Sequence, residues 1–130
     1  MSWNLQYDQI GKTFVQQYYT FFDDPTQRGA LANFYNEDKS LMTFEDQQIF
    51  GRTKIMEKIQ SLTFQKIVHS ITAIDTQPML DGGILICVLG QLKTDDDHPH
   101  TFHQVFVLKS LGDSFYVEHD VFRLSLHHIG

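Results

Sequence analysis

GQLKTDDDHPHTFHQVFVL, Gly90 to Leu108, sets two strand-like runs on either side of three consecutive aspartates. Both runs read as β-strands. A tight hairpin ordinarily turns on Gly or Asn, so the block Asp95-Asp96-Asp97 asks for a reason beyond chain reversal. In an extended segment side chains two apart share a side, so Asp95 and Asp97 are expected to point together and Asp96 away.

Outward from this hairpin the strand period continues in both directions. Runs near 64–76, 83–94, 101–110 and 114–126 read as strands, broken by Asp81-Gly82-Gly83, the acidic stretch and Leu111-Gly112-Asp113. The two glycine-bearing breaks are ordinary hairpin signals. Gly90, in mid-strand, either permits the bulge that curls a sheet around a cavity or is simply tolerated there.

The first half of the chain has a different period. Leu5, Ile10, Phe14, Val15, Tyr18, Tyr19 and Phe22 recur at helical spacing over 4–23. Asp24-Pro25 supplies a cap followed by proline, which predicts a second helix to about Tyr35. Residues 41–45 alternate as a short strand, and 46–51 read as a turn. Ile55, Met56, Ile59 and Leu62 then share one face of a third helix. Helices followed by an antiparallel meander make an α+β fold, with the helices on one face of the sheet.

Composition narrows the function classes. The 130 residues form one domain, 1–130, without repeats or linkers, and 42% hydrophobic residues with 11 Phe promise a large core. No apolar run is long enough for membrane insertion, and the first residues lack the basic start and apolar core of a secretory signal. A net charge of −6 argues against nucleic acid as a partner and suits a basic one. Cys87, inside ILICVL, reads as a core residue in a reducing compartment.

Six segments carry a resemblance: FVQQYYTFFD (14–23), TFEDQQ (43–48), SLTFQKIVHSIT (61–72), GQLKTDDD (90–97), FHQVF (102–106) and VFRLSLH (121–127). The chain resembles the nuclear transport factor 2 family over essentially its whole length. The resemblance implies a cone-like curved antiparallel sheet wrapped around a long N-terminal helix and two shorter helices, enclosing a hydrophobic cavity. It further implies a homodimer without enzymatic activity or cofactor. Such a carrier takes the GDP-bound GTPase Ran into the nucleus and crosses the pore on phenylalanine-glycine repeats of nucleoporins. The locations implied are cytoplasm, nucleus and nuclear pore complex.

The resemblance also assigns residues. Carboxylates at the positions of Glu45, Asp95 and Asp97 are implied to pair with basic residues flanking a phenylalanine of Ran. That ring enters a cavity whose matching positions are Phe44, Leu62, Ile67, Phe102, Val105 and Phe122, with His69 at the rim. Tyr7 stands where family members commonly carry a tryptophan that contacts the repeats. It is expected to keep that role with help from Trp3, four residues earlier and on the same face if the helix begins that early. Val121 has the opposite strand parity to Phe122 and is expected to face the twin chain.

Two other classes compete. A cavity enzyme of the same fold, an isomerase or dehydratase, would need a buried acid and base, for which His69 and Asp120 are the candidates. A structural Asp120, bonded to backbone or to Arg123, is the plainer reading. A scaffold or export-cofactor relative would dimerise with a different chain and have no reason to keep all three acids. His98, His100, His103 and the pair His127-His128 show no established zinc spacing, so no metal site is expected.

Overall fold

The computed structural model describes residues 2–125. Helix α1, Tyr7–Asp23, buries Phe14, Val15, Tyr18, Tyr19 and Phe22 along one stripe. It stops where Pro25 forces the residue before it out of helical geometry: Asp24 is extended at φ −101°, ψ 110°. The carboxylate of Asp24 then accepts from the backbone N–H and the hydroxyl of Thr26 at 2.9 and 2.7 Å.

The second helix differs from expectation. Residues 25–27 form a turn, and a 3₁₀ helix follows over Arg28–Phe34. Only Leu31 is fully buried in it, so one apolar anchor holds a short, tightly wound segment rather than an amphipathic α-helix. Helix α2, Arg52–Gln60, buries Ile55, Met56 and Ile59 as the spacing predicts, but it ends before Leu62, which was expected on the same face.

Six strands follow the order β2-β1-β6-β5-β4-β3 in one curved, unclosed sheet. They are β1 (Leu41–Phe44), β2 (Gln47–Phe50), β3 (Ile67–Pro78), β4 (Ile84–Thr94), β5 (His100–Leu111) and β6 (Ser114–Leu124). Strand β2 occupies the stretch expected to be a turn; its two glutamines hid the strand period, and Glu45-Asp46 is the actual reversal. Strand β1 pairs parallel with β6, setting Phe44 beside Phe122, so the sheet is mixed rather than wholly antiparallel. The return from β1 to β6 spans the whole meander, and a distance that long leaves either direction open.

Curvature has a local cause. Register slips between Ile71 and Ala73 on β3, directly opposite Gly90 on β4. A Cβ at Gly90 would lie 2.5 Å from the Ser70 carbonyl oxygen and 3.0 Å from the Phe102 ring. Glycine is therefore required beside this bulge, where β3 and the Phe102 ring both close on the β4 backbone.

The two faces of the sheet are different. Phe102, Gln104, Phe106, Asp120 and Phe122 face inward, where Phe106 meets Phe14 and Tyr18 of α1 edge-on, each with centroids 4.9 Å apart. Cys87, Val105 and Val121 stand in register on the outer face. Cys87 is thus half-buried on the sheet's outside, not a core residue as its apolar neighbours suggested. Among the described residues no helix is long and apolar enough to cross a membrane.

Candidate functional site

Alternation along β5 and β6 leaves the inner face lined with rings, and the curved sheet does not close fully on α1. A cavity of about 300 Å³ remains between α1, α2 and the inner face. Its apolar wall includes Phe22, Phe44, Leu62, Phe64, Ile67 and Phe122. Phe44 stacks on Phe122 with centroids 4.9 Å apart and planes 17° apart, and Phe122 stacks in turn on Phe102 at 5.8 Å. Thr94, Asp97 and His100, at the β4–β5 turn, also line it. Since Asp97 and His100 are exposed, the opening lies at that turn.

Cations sit on the rings from outside. Lys58 Nζ lies 4.9 Å from the Phe44 centroid, and the Arg28 guanidinium 5.1 Å from that of Phe64. Both contacts have the geometry of cation–π attraction, which leaves the rings oriented without filling the cavity.

The floor is polar and self-satisfied. Tyr19 donates its hydroxyl to Gln104 Oε1 at 2.6 Å, and Gln104 Nε2 donates to Asp120 Oδ1 at 2.8 Å. Tyr35 donates to Asp120 Oδ2 at 2.8 Å, with the Tyr18 hydroxyl 2.8 Å from that of Tyr35. Burial pushes the Asp120 carboxyl up to about 6, although the bonds from Gln104, Tyr35 and Tyr18 pull the other way. Burial first, then the nearby Asp120 charge, raises the Tyr18 and Tyr35 hydroxyls well above 10 and keeps them protonated donors.

His69 lies in the wall rather than at the rim. Its side chain is 3% exposed and packs against Tyr19, Phe22 and Phe102, with centroids 4.7, 5.2 and 5.3 Å away. Asp23, at the end of α1, accepts from the His69 backbone N–H at 2.9 Å and from ring Nδ1 at 2.5 Å.

The three acids take separate environments. Asp97 lines the cavity. Asp95 adopts φ 48° inside a turn, and its carboxylate accepts the backbone N–H groups of Gln65 and Lys66 at 3.0 and 2.9 Å. The extended-strand argument that aimed Asp95 and Asp97 together therefore does not apply, because the chain has left β geometry at Asp95. Glu45 also has a positive φ, 58°, and accepts the Leu124 N–H at 2.5 Å. Its second oxygen lies 3.8 Å from Arg123, which also reaches Asp46 at 3.2 Å. Glu45 and Asp95 are thus half-exposed and exposed carboxylates tied to backbone N–H groups, whereas the exposed Asp97 carboxylate makes no hydrogen bond among the described residues.

Other expected residues divide between the two faces. Phe44, Leu62, Ile67, His69 and Phe122 line the cavity; Phe102 is fully buried behind it, in the second row of rings. Val105 faces the outside beside Val121 and does not reach the cavity, because it has the opposite parity to Phe102. Trp3 precedes α1 and is 56% exposed, so it shares no helical face with Tyr7. Tyr7 opens the helix and packs partly against the core. Asp120 is held by Gln104 and Tyr35 side chains, not by backbone or Arg123. His100 faces the cavity and His103 the outside. Among the described residues no cluster of three His, Cys, Asp or Glu could hold a metal ion. His127 and His128 lie outside the described residues.

Sequence reasoning missed Gln104 and the α1 rings as cavity residues, and Asp23 as the partner of His69. Gln104 was discoverable, as the lone polar residue on the inward parity of FHQVF. Asp23 was not, since its contact with His69 spans 46 positions.

An α+β sheet curved around one aromatic cavity, closed behind by a buried polar floor and open at an acidic turn, defines a small binding-pocket domain. Residues 10–124 match the model of the nuclear transport factor 2 domain, and the chain belongs to that family. It is 45% identical to the "Probable nuclear transport factor 2" of Caenorhabditis elegans, covering 98% of each chain. With the nuclear transport factor 2 of Saccharomyces cerevisiae it shares 41% identity over 94% of this chain and 97% of that one. The solved structure of nuclear transport factor 2 from Cryptosporidium parvum superposes with a TM-score of 0.89 at 40% identity, covering 96% and 99% of the two chains.

Proposed function

We infer that this protein is a nuclear transport carrier that binds GDP-bound Ran, and that an aromatic side chain of Ran occupies the cavity. The observation that carries the reading is the open, ring-lined cavity with Asp97 at its mouth, in a chain whose relatives are named nuclear transport factor 2. An apolar pocket with few polar groups suits an inserted ring. Carboxylates around the opening attract a basic flank, and charges desolvated at an interface count for far more than exposed ones. Glu45, Asp95 and Asp97 are the acids assigned to that flank. Glu45 and Asp95 offer it carboxylates already oriented by backbone bonds.

The carrier acts as a homodimer through the outer face, where Val121 is 42% exposed beside Val105 and Cys87. Phenylalanine-glycine repeats of nucleoporins are its second partner, met by Tyr7 and Trp3. It shuttles between cytoplasm and nucleus through the pore complex and performs no chemical step. Capture of purified Ran tests the reading: Ran loaded with GDP should be retained and Ran loaded with GTP should not.

The His69–Asp23 pair favours one alternative, a cavity enzyme of isomerase or dehydratase type with His69 as base. Asp120, the other candidate, is sealed beneath Gln104 with both oxygens engaged. A chain that ignores both forms of Ran yet turns over a ketosteroid-like substrate would establish that alternative.

A further inference from the structure

We propose that the cavity is also a binding site for a small neutral phenol, its ring among Phe44, Leu62 and Phe122 and its hydroxyl on Nε2 of His69. The open volume of about 300 Å³ stands at the lower end of small-molecule pockets, roughly 300–1,000 Å³. Aromatic and aliphatic walls favour a ring, and Phe44, Phe122 and the His69 imidazole line the cavity as rings it can pack against.

His69 supplies the specific contact. Its ring is almost wholly enclosed, and Nδ1 is committed to the Asp23 carboxylate. That bond fixes the ring's orientation and leaves Nε2 as the imidazole's one open polar atom. No described residue hydrogen-bonds Nε2. Among the described residues the sealed side-chain polar atom left without a partner is Arg28 Nη2, so Nε2 is reachable by solvent, and a ligand hydroxyl there replaces a bond to water with one of its own. A phenolic hydroxyl both donates and accepts, so it suits Nε2 with or without a proton. Asp23 lies behind the imidazole and Asp97 is out at the mouth, so no enclosed charge calls for an ionic ligand. This site stands independently of whether Ran uses the same cavity.

The test compares 4-methylphenol with toluene, titrated into the full chain by calorimetry while the ring nitrogens of His69 are followed by ¹⁵N NMR. Burying a hydroxyl without an acceptor is unfavourable, so without the His69 contact toluene is the tighter ligand. With it, 4-methylphenol should bind at one site roughly 3- to 10-fold more tightly, the factor expected of one net hydrogen bond, and Nε2 should shift. Toluene binding as tightly or better, neither ligand binding, or an unmoved Nε2 overturns the proposal. His69→Phe keeps a ring against Tyr19 and should reverse the order of the two ligands. If that variant does not fold, the wild-type order and the Nε2 shift decide.

Discussion

Gln104 donates to Asp120 across neighbouring strands at 2.8 Å, joining the cavity wall to a carboxylate with no exposed surface. Asp120 has a folded pKa of about 6 against an ordinary 3.8. A raised pKa means the folded state binds the proton more tightly. The stability it contributes is fully present below about 3.8 and is lost as pH rises through about 6. The difference, 6 − 3.8 = 2.2 units, corresponds to roughly 3 kcal/mol. Asp120→Asn removes this dependence. Relative to wild type, its unfolding free energy should therefore rise between pH 4 and 6.5, measured by urea denaturation; a difference flat with pH contradicts the assignment.

Gly90→Ala places a methyl group 2.5 Å from the Ser70 carbonyl oxygen, a backbone atom that cannot swing aside. Overpacking of this kind costs about 1–3 kcal/mol. Thermal unfolding should show the loss, whereas Gly29→Ala, with nothing within 4 Å of the new Cβ, should change little. Equal effects at the two positions would remove the close approach from the account of curvature.

Strand parity made much of this architecture readable in advance. Parity set Phe122 and Asp120 on one face and Val121 on the other, as they lie on the sheet, because a period of two leaves only two faces; Phe102 was placed inward by the family resemblance. The same rule, applied to Val105, contradicts its assignment to the cavity; there the family resemblance overrode the local pattern. Where the backbone leaves regular geometry, spacing carries no information. Glu45 and Asp95 both adopt left-handed conformations that few non-glycine residues take, so neither direction could be read from i, i+2 alternation. Gln47 and Gln48 masked β2 because an edge strand with polar side chains shows no apolar period. The buried chain Tyr19–Gln104–Asp120–Tyr35 joins residues up to 85 positions apart, a contact only the folded sheet creates.

Asp97→Lys reverses the charge at the cavity mouth without disturbing a side-chain hydrogen bond among the described residues. Capture of Ran-GDP should fall at least tenfold, with the melting temperature unchanged. Asp96→Lys, on the neighbouring position that does not line the cavity, should have the smaller effect. Equal losses would reduce the acidic turn to a general electrostatic patch.

Glu45→Lys should abolish capture of Ran-GDP and leave the fold intact by circular dichroism. It also removes the acceptor of the Leu124 N–H, at a cost of about 1 kcal/mol. Glu45→Gln keeps an acceptor there and should recover most of that stability but little of the binding. Wild-type capture by the Lys variant contradicts the rim assignment.

Val121→Arg sets a charge on the outer face opposite Val105. Sedimentation should show a dimer for the wild type and a monomer for the variant, with the cavity unaffected. A dimer that survives the substitution moves the interface elsewhere.

The occupancy of the cavity can be read directly from the methyl groups of Leu62, Ile67 and Ile59, which line it. On addition of Ran-GDP their ¹³C-methyl resonances should acquire the ring-current shifts of an inserted aromatic side chain, and Ran-GTP should leave them unmoved. Stable binding of Ran-GDP with these methyl resonances unchanged would show that the partner docks somewhere else.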